Sequence, residues 1–102
     1  MASVRGLATR WLSDDFPGFV EVVLTDASQV EHTIHEKVPV LSDDWSLSPA
    51  SAYPFVIWID AEVLGQHQQT VTVRLAHSVE SLDGHTVFDV ANELVRASRA
   101  AN

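Results

Sequence analysis

The sequence predicts one mainly β domain, a small antiparallel barrel or sandwich of about six strands that ends in a short C-terminal helix. Three observations support this prediction. Apolar and polar residues alternate in several short segments, polar turn residues separate those segments, and the last ten or so residues are rich in helix formers. The 102 residues leave room for one core, so residues 1–102 are predicted to form a single domain.

The predicted strands span residues 4–12, 19–25, 30–40, 55–64, 70–76 and 85–90. The clearest pattern is in residues 19–25, where Val20, Val22 and Leu24 share one face, which is the period of a strand. A short polar break follows and predicts a hairpin with the next strand. Gln29 in this break stands where many hairpin loops need a positive φ, so we expect either a different turn geometry or a small strain.

Two segments carry helix signals. In the polar stretch 42–53, Ser48 could cap a single helical turn that begins at Pro49. Residues 91–100 are predicted to form the short terminal helix, with Asp89 as a possible cap. The apolar residues at helical spacing in this segment are Ala91, Leu94 and Val95.

The charge of the chain is strongly negative. Six Lys and Arg residues stand against 14 Asp and Glu residues, a formal charge of −8. Such a surface repels phosphate backbones and anionic lipids and suits a basic protein, so nucleic acid and membranes are disfavoured as partners. No cysteine, signal peptide or membrane-spanning stretch is evident in the sequence, which favours the cytoplasm.

The residues offer little support for catalysis, metals or cofactors. His32 and His35 have metal-ligand spacing only on a helix, whereas on a strand they point to opposite faces. Neither a nucleophile elbow nor a glycine-rich phosphate loop occurs. Asp60 and Glu62 share one face of a strand, and Glu21 could stand beside them as an acid/base partner, but same-face acids usually form a solvated surface. We therefore predict no catalytic residue, no metal and no cofactor.

Two loops join adjacent aspartates to an aromatic residue, and they are the candidate partner-binding site. Its predicted residues are Asp14, Asp15, Phe16, Asp43, Asp44, Trp45 and, on a strand, Trp58. An aromatic anchor beside carboxylates is typical of an interface that receives a basic partner. The alternative is that Phe16 and Trp45 fold back as plugs of the barrel ends. On the strand of Trp58, the opposite face predicts the core residues: Phe55, Ile57 and Ile59.

Several short motifs resemble those of a group of small uncharacterised bacterial proteins. The motifs are Ser13-Asp14-Asp15-Phe16-Pro17-Gly18, Val20-Glu21 with Asp26, Glu36-Lys37-Val38-Pro39-Val40, Ser51-Ala52-Tyr53-Pro54 and Val79-Glu80-Ser81. The resemblance spans most of the chain and implies a bacterial origin. It implies no activity and transfers no catalytic residue.

The function hypothesis is a non-enzymatic, acidic protein-binding or regulatory module, of which an immunity-type inhibitor is one example. The alternative is a small-molecule binder or enzyme that uses the barrel mouth, with His35 or Glu36 as the acid/base group. A third possibility concerns assembly: the strand at residues 55–59 is hydrophobic on both faces and could form a homodimer interface.

Overall fold

The computed structural model describes residues 2–16, 18–37 and 53–97. Within these ranges the chain forms seven strands: β1 (Ala2–Ser13), β2 (Phe19–Thr25), β3 (Glu31–Lys37), β4 (Phe55–Gln66), β5 (Thr70–Leu75), β6 (Val87–Ala91) and β7 (Val95–Ala97). Every strand pairing is antiparallel. The prediction of a mainly β, antiparallel fold is confirmed, and the first six strands lie close to their predicted positions.

The strands form one curled sheet, a half-barrel, in the order β3-β2-β1-β4-β5-β6, with β7 paired to β1. The curl brings the two ends of this order together. The backbone N–H of Ala27 donates to the carbonyl of Asp89 over 2.7 Å, and that of Leu82 donates to the carbonyl of Thr33 over 2.8 Å. We call this junction between the β3 side and the β6 side the seam.

Strand β1 pairs with three other strands. One edge of β1 pairs with β4, and the other edge pairs with β7 near its start and with β2 near its end. The pairing with β2 shifts register between Ala8 and Arg10, so Thr9 is an extra residue. Such a bulge reverses the alternation of side chains. Ala8 and Trp11 therefore both face inward, although they are three residues apart.

Apolar side chains, almost all aliphatic, fill the concave side of the sheet. The buried cluster consists of Val4, Ala8, Val20, Val22, Leu24, Ile34, Ile57, Ile59, Ala61, Val71, Val73, Leu75, Val79, Phe88 and Val90. It includes the predicted inward residues of β2. The predicted core face of β4 is also confirmed, since Ile57 and Ile59 are buried and Phe55 packs against them. The interior of the half-barrel is thus packed with side chains.

The predicted C-terminal helix is wrong in the part that the structure describes. Ala91 ends β6, a single 3-10 turn covers Asn92–Leu94, and the chain then enters β7. Val95 packs against the core while its backbone pairs with Val4, and a helix would break both contacts. Local helix propensity is therefore overridden by long-range pairing, for which a β-branched residue is well suited. Residues 98–100 of the predicted helix lie outside the described residues.

Of the two outcomes expected for the turn between β2 and β3, the strained one is present, since φ of Gln29 is 67°. The carboxylate of Asp26 holds this turn by accepting the N–H groups of Ser28 at 2.8 Å and Val30 at 3.0 Å. These hydrogen bonds stabilise a turn in which glycine usually supplies the positive φ. The helical turn predicted at Ser48 lies outside the described residues.

Candidate functional site

The connection between β1 and β2 carries an aromatic side chain into solvent. Phe16 is 95% exposed, far more than any other large hydrophobic residue in the described parts of the chain. The alternative prediction, that Phe16 folds back to plug the barrel end, is therefore wrong. Trp11 instead packs partly buried against the core at this end. We call Asp14, Asp15 and Phe16 the acidic loop.

Short-range contacts hold the acidic loop in one shape. The indole N–H of Trp11 donates to Oδ1 of Asp14 at 2.8 Å, and the N–H of Asp15 donates to Oγ of Ser13 at 3.1 Å. The N–H of Gly18 closes the turn on the carbonyl of Asp15 at 2.7 Å. Gly18 has φ +101°, and a Cβ atom there would lie 2.4 Å from the Trp11 ring, so only glycine fits. The hydrogen bonds of Asp14, Asp15 and Gly18 therefore order the loop on which the Phe16 ring is exposed.

None of the described cations neutralises the charge of the acidic loop. Asp14 and Asp15 are exposed, and neither takes part in the ion pairs formed among the described residues. Among the described residues, the side-chain donor to Asp14 is the uncharged indole of Trp11. Two carboxylates thus stand beside an exposed phenyl ring, the combination that suits recognition of a basic surface.

The other predicted partner-binding residues do not join the acidic loop. Asp43, Asp44 and Trp45 lie outside the described residues. Trp58 is half-buried on the outer face of β4, where the guanidinium of Arg96 lies 4.0 Å from its ring centroid. Its partner across the β1–β4 pairing is Arg5, near the opposite end of β1 from the loop. Trp58 therefore lies far from the acidic loop, although the sequence predicts both as parts of one site.

A second group of charged residues surrounds Glu21 on the outer face of the sheet. Its carboxylate accepts from Oγ1 of Thr9 at 2.8 Å and from Nε of Arg10 at 3.2 Å, and contacts Nε2 of His35 at 2.9 Å. The hydrogen bonds from His35, Arg10 and Thr9, in that order, lower the pKa of Glu21 to about 2. These contacts link β1, β2 and β3, and they engage both carboxylate oxygens of Glu21.

The suggested acid/base set of Glu21 with Asp60 and Glu62 does not form. Glu21 is on β2, and β1 separates it from the β4 acids. Glu62 forms an ion pair of 2.5 Å with Arg74 on β5. Glu21 and Glu62 are therefore engaged with different partners, Glu21 with Arg10 and Glu62 with Arg74.

Two imidazole–carboxylate pairs lie at the seam. Nε2 of His32 is 2.8 Å from Oδ2 of Asp26, and the His32 ring packs edge-on against Phe88 with 4.9 Å between centroids. His85 lies 3.3 Å from Asp83 and 6.0 Å from the ring of His32. The hydrogen bond with His32 is the main cause that lowers the pKa of Asp26. These contacts help to close the half-barrel.

Three clusters of described residues join a hydroxyl, a carboxylate and an imidazole: Thr9 with Glu21 and His35, Ser81 with Asp83 and His85, and Thr72 with Asp89 and His67. In the first two the carboxylate lies between the other groups, and in the third the hydroxyl does. Nucleophilic catalysis needs the imidazole in the middle, where it can take the hydroxyl proton. None of the three has that order. Within the described ranges, no three His, Asp or Glu side chains converge as metal ligands would.

Described residues line open grooves on the surface of the half-barrel. One groove of about 590 Å³ adjoins the turn Ala76–Ser78, where His77 and Ser78 have positive φ values of 61° and 60°. Its charged lining includes Glu62 and Arg74, which are paired with each other.

No family model, curated protein or solved structure matches this chain. Among the described residues, no helix has the length and apolar character needed to cross a membrane. This protein is therefore described by its fold alone. It is a curled antiparallel half-barrel with an ordered acidic loop at one end. The resemblance to the group of bacterial proteins stays a prediction.

Proposed function

We propose that this chain is a non-enzymatic, cytoplasmic protein-binding module whose acidic loop inserts Phe16 into an apolar pocket bordered by Lys or Arg residues of a partner. The observation that carries this proposal is the 95% exposure of Phe16 beside two carboxylates that have no cationic partner in the described structure. An immunity-type inhibitor or a small regulatory subunit would fit this chemistry.

The burial of Phe16, the order of the loop and its charge all favour such a contact. Burial of a phenylalanine side chain contributes about 1.5–3 kcal/mol. The hydrogen bonds of Asp14, Asp15 and Gly18 already order the loop, so binding loses less conformational entropy than it would with a flexible segment. The two carboxylates, together with the net charge of −8, attract a basic surface and speed the encounter.

The test is capture of proteins from a lysate of the source organism by the full chain at low salt. Wild type, Phe16→Ala and Asp15→Asn are compared with a matched control, Leu82→Ala, which removes another exposed hydrophobic side chain, 64% exposed, from a different turn. We expect wild type and Leu82→Ala to retain the same protein and Phe16→Ala to lose it. We expect Asp15→Asn to release it at lower salt.

Circular dichroism of each variant separates loss of binding from loss of folding. A captured protein that Phe16→Ala retains as well as wild type does would contradict the proposal, and so would an empty capture at low salt. The second acidic aromatic segment is tested in the same way, with Asp43→Asn and Asp44→Asn combined with Trp45→Ala.

A further inference from the structure

The turn that leads into β6 contains an aspartate followed directly by a glycine. Asp83-Gly84 is the one such pair in the sequence, and no asparagine precedes a glycine. The backbone nitrogen of a glycine reaches the carboxyl carbon of the preceding aspartate more easily than that of other residues, because no side chain hinders it. The side chain of Asp83 is 64% exposed, and nothing lies within 4 Å of the position that a Cβ atom of Gly84 would take. Water therefore reaches both residues.

The reaction open to this pair rearranges the main chain. The nitrogen of Gly84 loses its proton and bonds to Cγ of Asp83, and a carboxyl oxygen leaves as water, so that a cyclic succinimide forms. Water then opens the ring. Opening at the main-chain carbonyl leaves isoaspartate, in which the chain runs through Cβ and Cγ, and opening at the other carbonyl restores aspartate. One water molecule leaves and one enters, so isoaspartate has the same mass as aspartate.

The contacts of the turn oppose this reaction. Oγ of Ser81 donates to Oδ1 of Asp83, and Nε2 of His85 lies 3.3 Å from Oδ2. The N–H of Gly84 donates to the carbonyl of Ser81 at 2.9 Å, so the proton that must leave is engaged. The hydrogen bond from Ser81 is the main cause that lowers the pKa of Asp83. The carboxyl group therefore stays ionised at neutral pH, and a carboxylate is a poorer electrophile than its acid.

Ser81 is the residue of the turn best placed to control the rate. It is 3% exposed, its N–H donates to the carbonyl of His85 at 2.9 Å, and its Oγ accepts the N–H of His85 at 3.1 Å. We propose that Asp83-Gly84 is a site of isoaspartate formation and that the Ser81 hydroxyl slows the reaction through its hydrogen bond to the Asp83 carboxylate. The turn thus contains a reactive pair of residues and the side chain that restrains it.

The place of this pair in the fold gives the modification a structural consequence. Leu82, directly before the pair, supplies the N–H that joins the seam to the carbonyl of Thr33 at 2.8 Å. His85, directly after the pair, has its ring 6.0 Å from the ring of His32. Isoaspartate lengthens the main chain between Leu82 and His85 by one methylene group. We expect this insertion to disturb both contacts of the seam, so the modified protein should be less stable than the unmodified one.

The test is the rate of isoaspartate formation in the full chain at neutral pH. Samples are digested with trypsin, and isoaspartate in the peptide 75–96 is measured with an isoaspartyl methyltransferase and placed by fragmentation. We expect folded wild type to react more slowly than wild type unfolded in urea. Ser81→Ala should react about fivefold faster than folded wild type, the factor that the loss of one hydrogen bond gives. Ser28→Ala is the matched control, because its hydroxyl has no carboxylate partner among the described residues, and it should react as wild type does.

A second control separates the hydroxyl from general loss of stability. Ile57→Ala removes a buried core side chain of β4 and leaves the turn intact, so it should react more slowly than Ser81→Ala. Circular dichroism checks that each variant is folded. The inference is overturned if Ser81→Ala reacts no faster than wild type, if Ile57→Ala reacts as fast as Ser81→Ala, or if isoaspartate forms first at another residue. It is also overturned if folded and unfolded wild type react at the same rate.

The consequence for the seam is tested on the isoaspartate form itself, separated from the unmodified protein by ion-exchange chromatography. Urea titration should give it a lower free energy of unfolding than the unmodified protein. An equal free energy of unfolding would overturn the link between this site and the seam.

Discussion

Acidic residues have different surroundings in two regions of this molecule, the sheet and the β1–β2 connection. On β2, Glu21 is 19% exposed and its carboxylate is held by an arginine, a histidine and a threonine. In the acidic loop, Asp14 and Asp15 are exposed and have no described cationic partner. Negative charge therefore stabilises strand pairing in the first region and is exposed to solvent in the second.

The aromatic residues beside the loop show the same division. Trp11 packs against the core, and its N–H is bonded to Asp14, whereas Phe16 contributes little to the fold. The two rings stand five positions apart, yet one supports the loop and the other is presented by it. Three substitutions test this contrast.

The largest expected effect is that of Gly18→Ala, which disturbs the support beneath the loop. A left-handed backbone costs an alanine about 1–2 kcal/mol, and a methyl group 2.4 Å from the Trp11 ring forces repacking that costs about 1–3 kcal/mol more. We expect the free energy of unfolding to fall by about 3 kcal/mol in urea titrations. Gly84→Ala is the control, since its φ is +86° but nothing lies within 4 Å, and equal losses at both glycines would show that the Trp11 contact is unimportant.

We expect Glu21→Gln to lower the free energy of unfolding by an intermediate amount. We also expect it to change how that free energy depends on pH in the acid range. Removal of the charge weakens the bonds from Arg10 and His35, and because water still reaches this site we expect a loss of only about 1–2 kcal/mol at pH 7. The folded-state pKa of Glu21 is about 2, below its ordinary value of 4.5, so the folded protein binds fewer protons than the unfolded chain. Its stabilising contribution is complete above about pH 4.5 and is lost as pH falls toward 2.

The measurement is the free energy of unfolding of wild type and Glu21→Gln between pH 7 and pH 2. The variant should lose less stability across the acid range. Some acid sensitivity should remain, because the bond with His32 lowers the pKa of Asp26 and the bond from Ser81 lowers the pKa of Asp83. Parallel curves for the two proteins would show that Glu21 does not supply the acid dependence.

The smallest expected effect on stability is that of Phe16→Ala. Because the ring is almost wholly exposed, the free energy of unfolding should stay within about 0.5 kcal/mol of wild type. Leu24→Ala, at a fully buried position of β2, should lose about 2–5 kcal/mol in the same urea titration. A loss above 1 kcal/mol for Phe16→Ala would mean that the ring supports the fold.

Local patterns predicted some elements well and others poorly. The bounds of β2 agree with the prediction because alternating Val and Leu residues describe a half-buried strand without help from distant residues. The last segment was predicted as a helix because Ala91, Leu94 and Val95 fit that spacing. In the structure it becomes β7, since Val95 finds its pairing partner about ninety residues earlier, at Val4.

The candidate site shows the same limit. The motif Asp14-Asp15-Phe16 is readable as an acidic aromatic loop, but the sequence does not say which aromatic residue is exposed: Phe16 is 95% exposed, whereas Trp11 packs against the core. The grouping of Arg5 and Arg96 around Trp58 has no local signal, because these residues become neighbours only when β1, β4 and β7 pair.

The sequence by itself determined the mainly β character, the inward face of β2, the acidity and the candidate residues of the loop, because alternation, charge and turn chemistry act over a few neighbouring positions. Only the tertiary structure decided the curl of the sheet, the fate of the last segment, the exposure of Phe16 and the gathering of the two arginines around Trp58. Each of these depends on contacts between residues far apart in the chain, whose pairing register a local pattern does not specify.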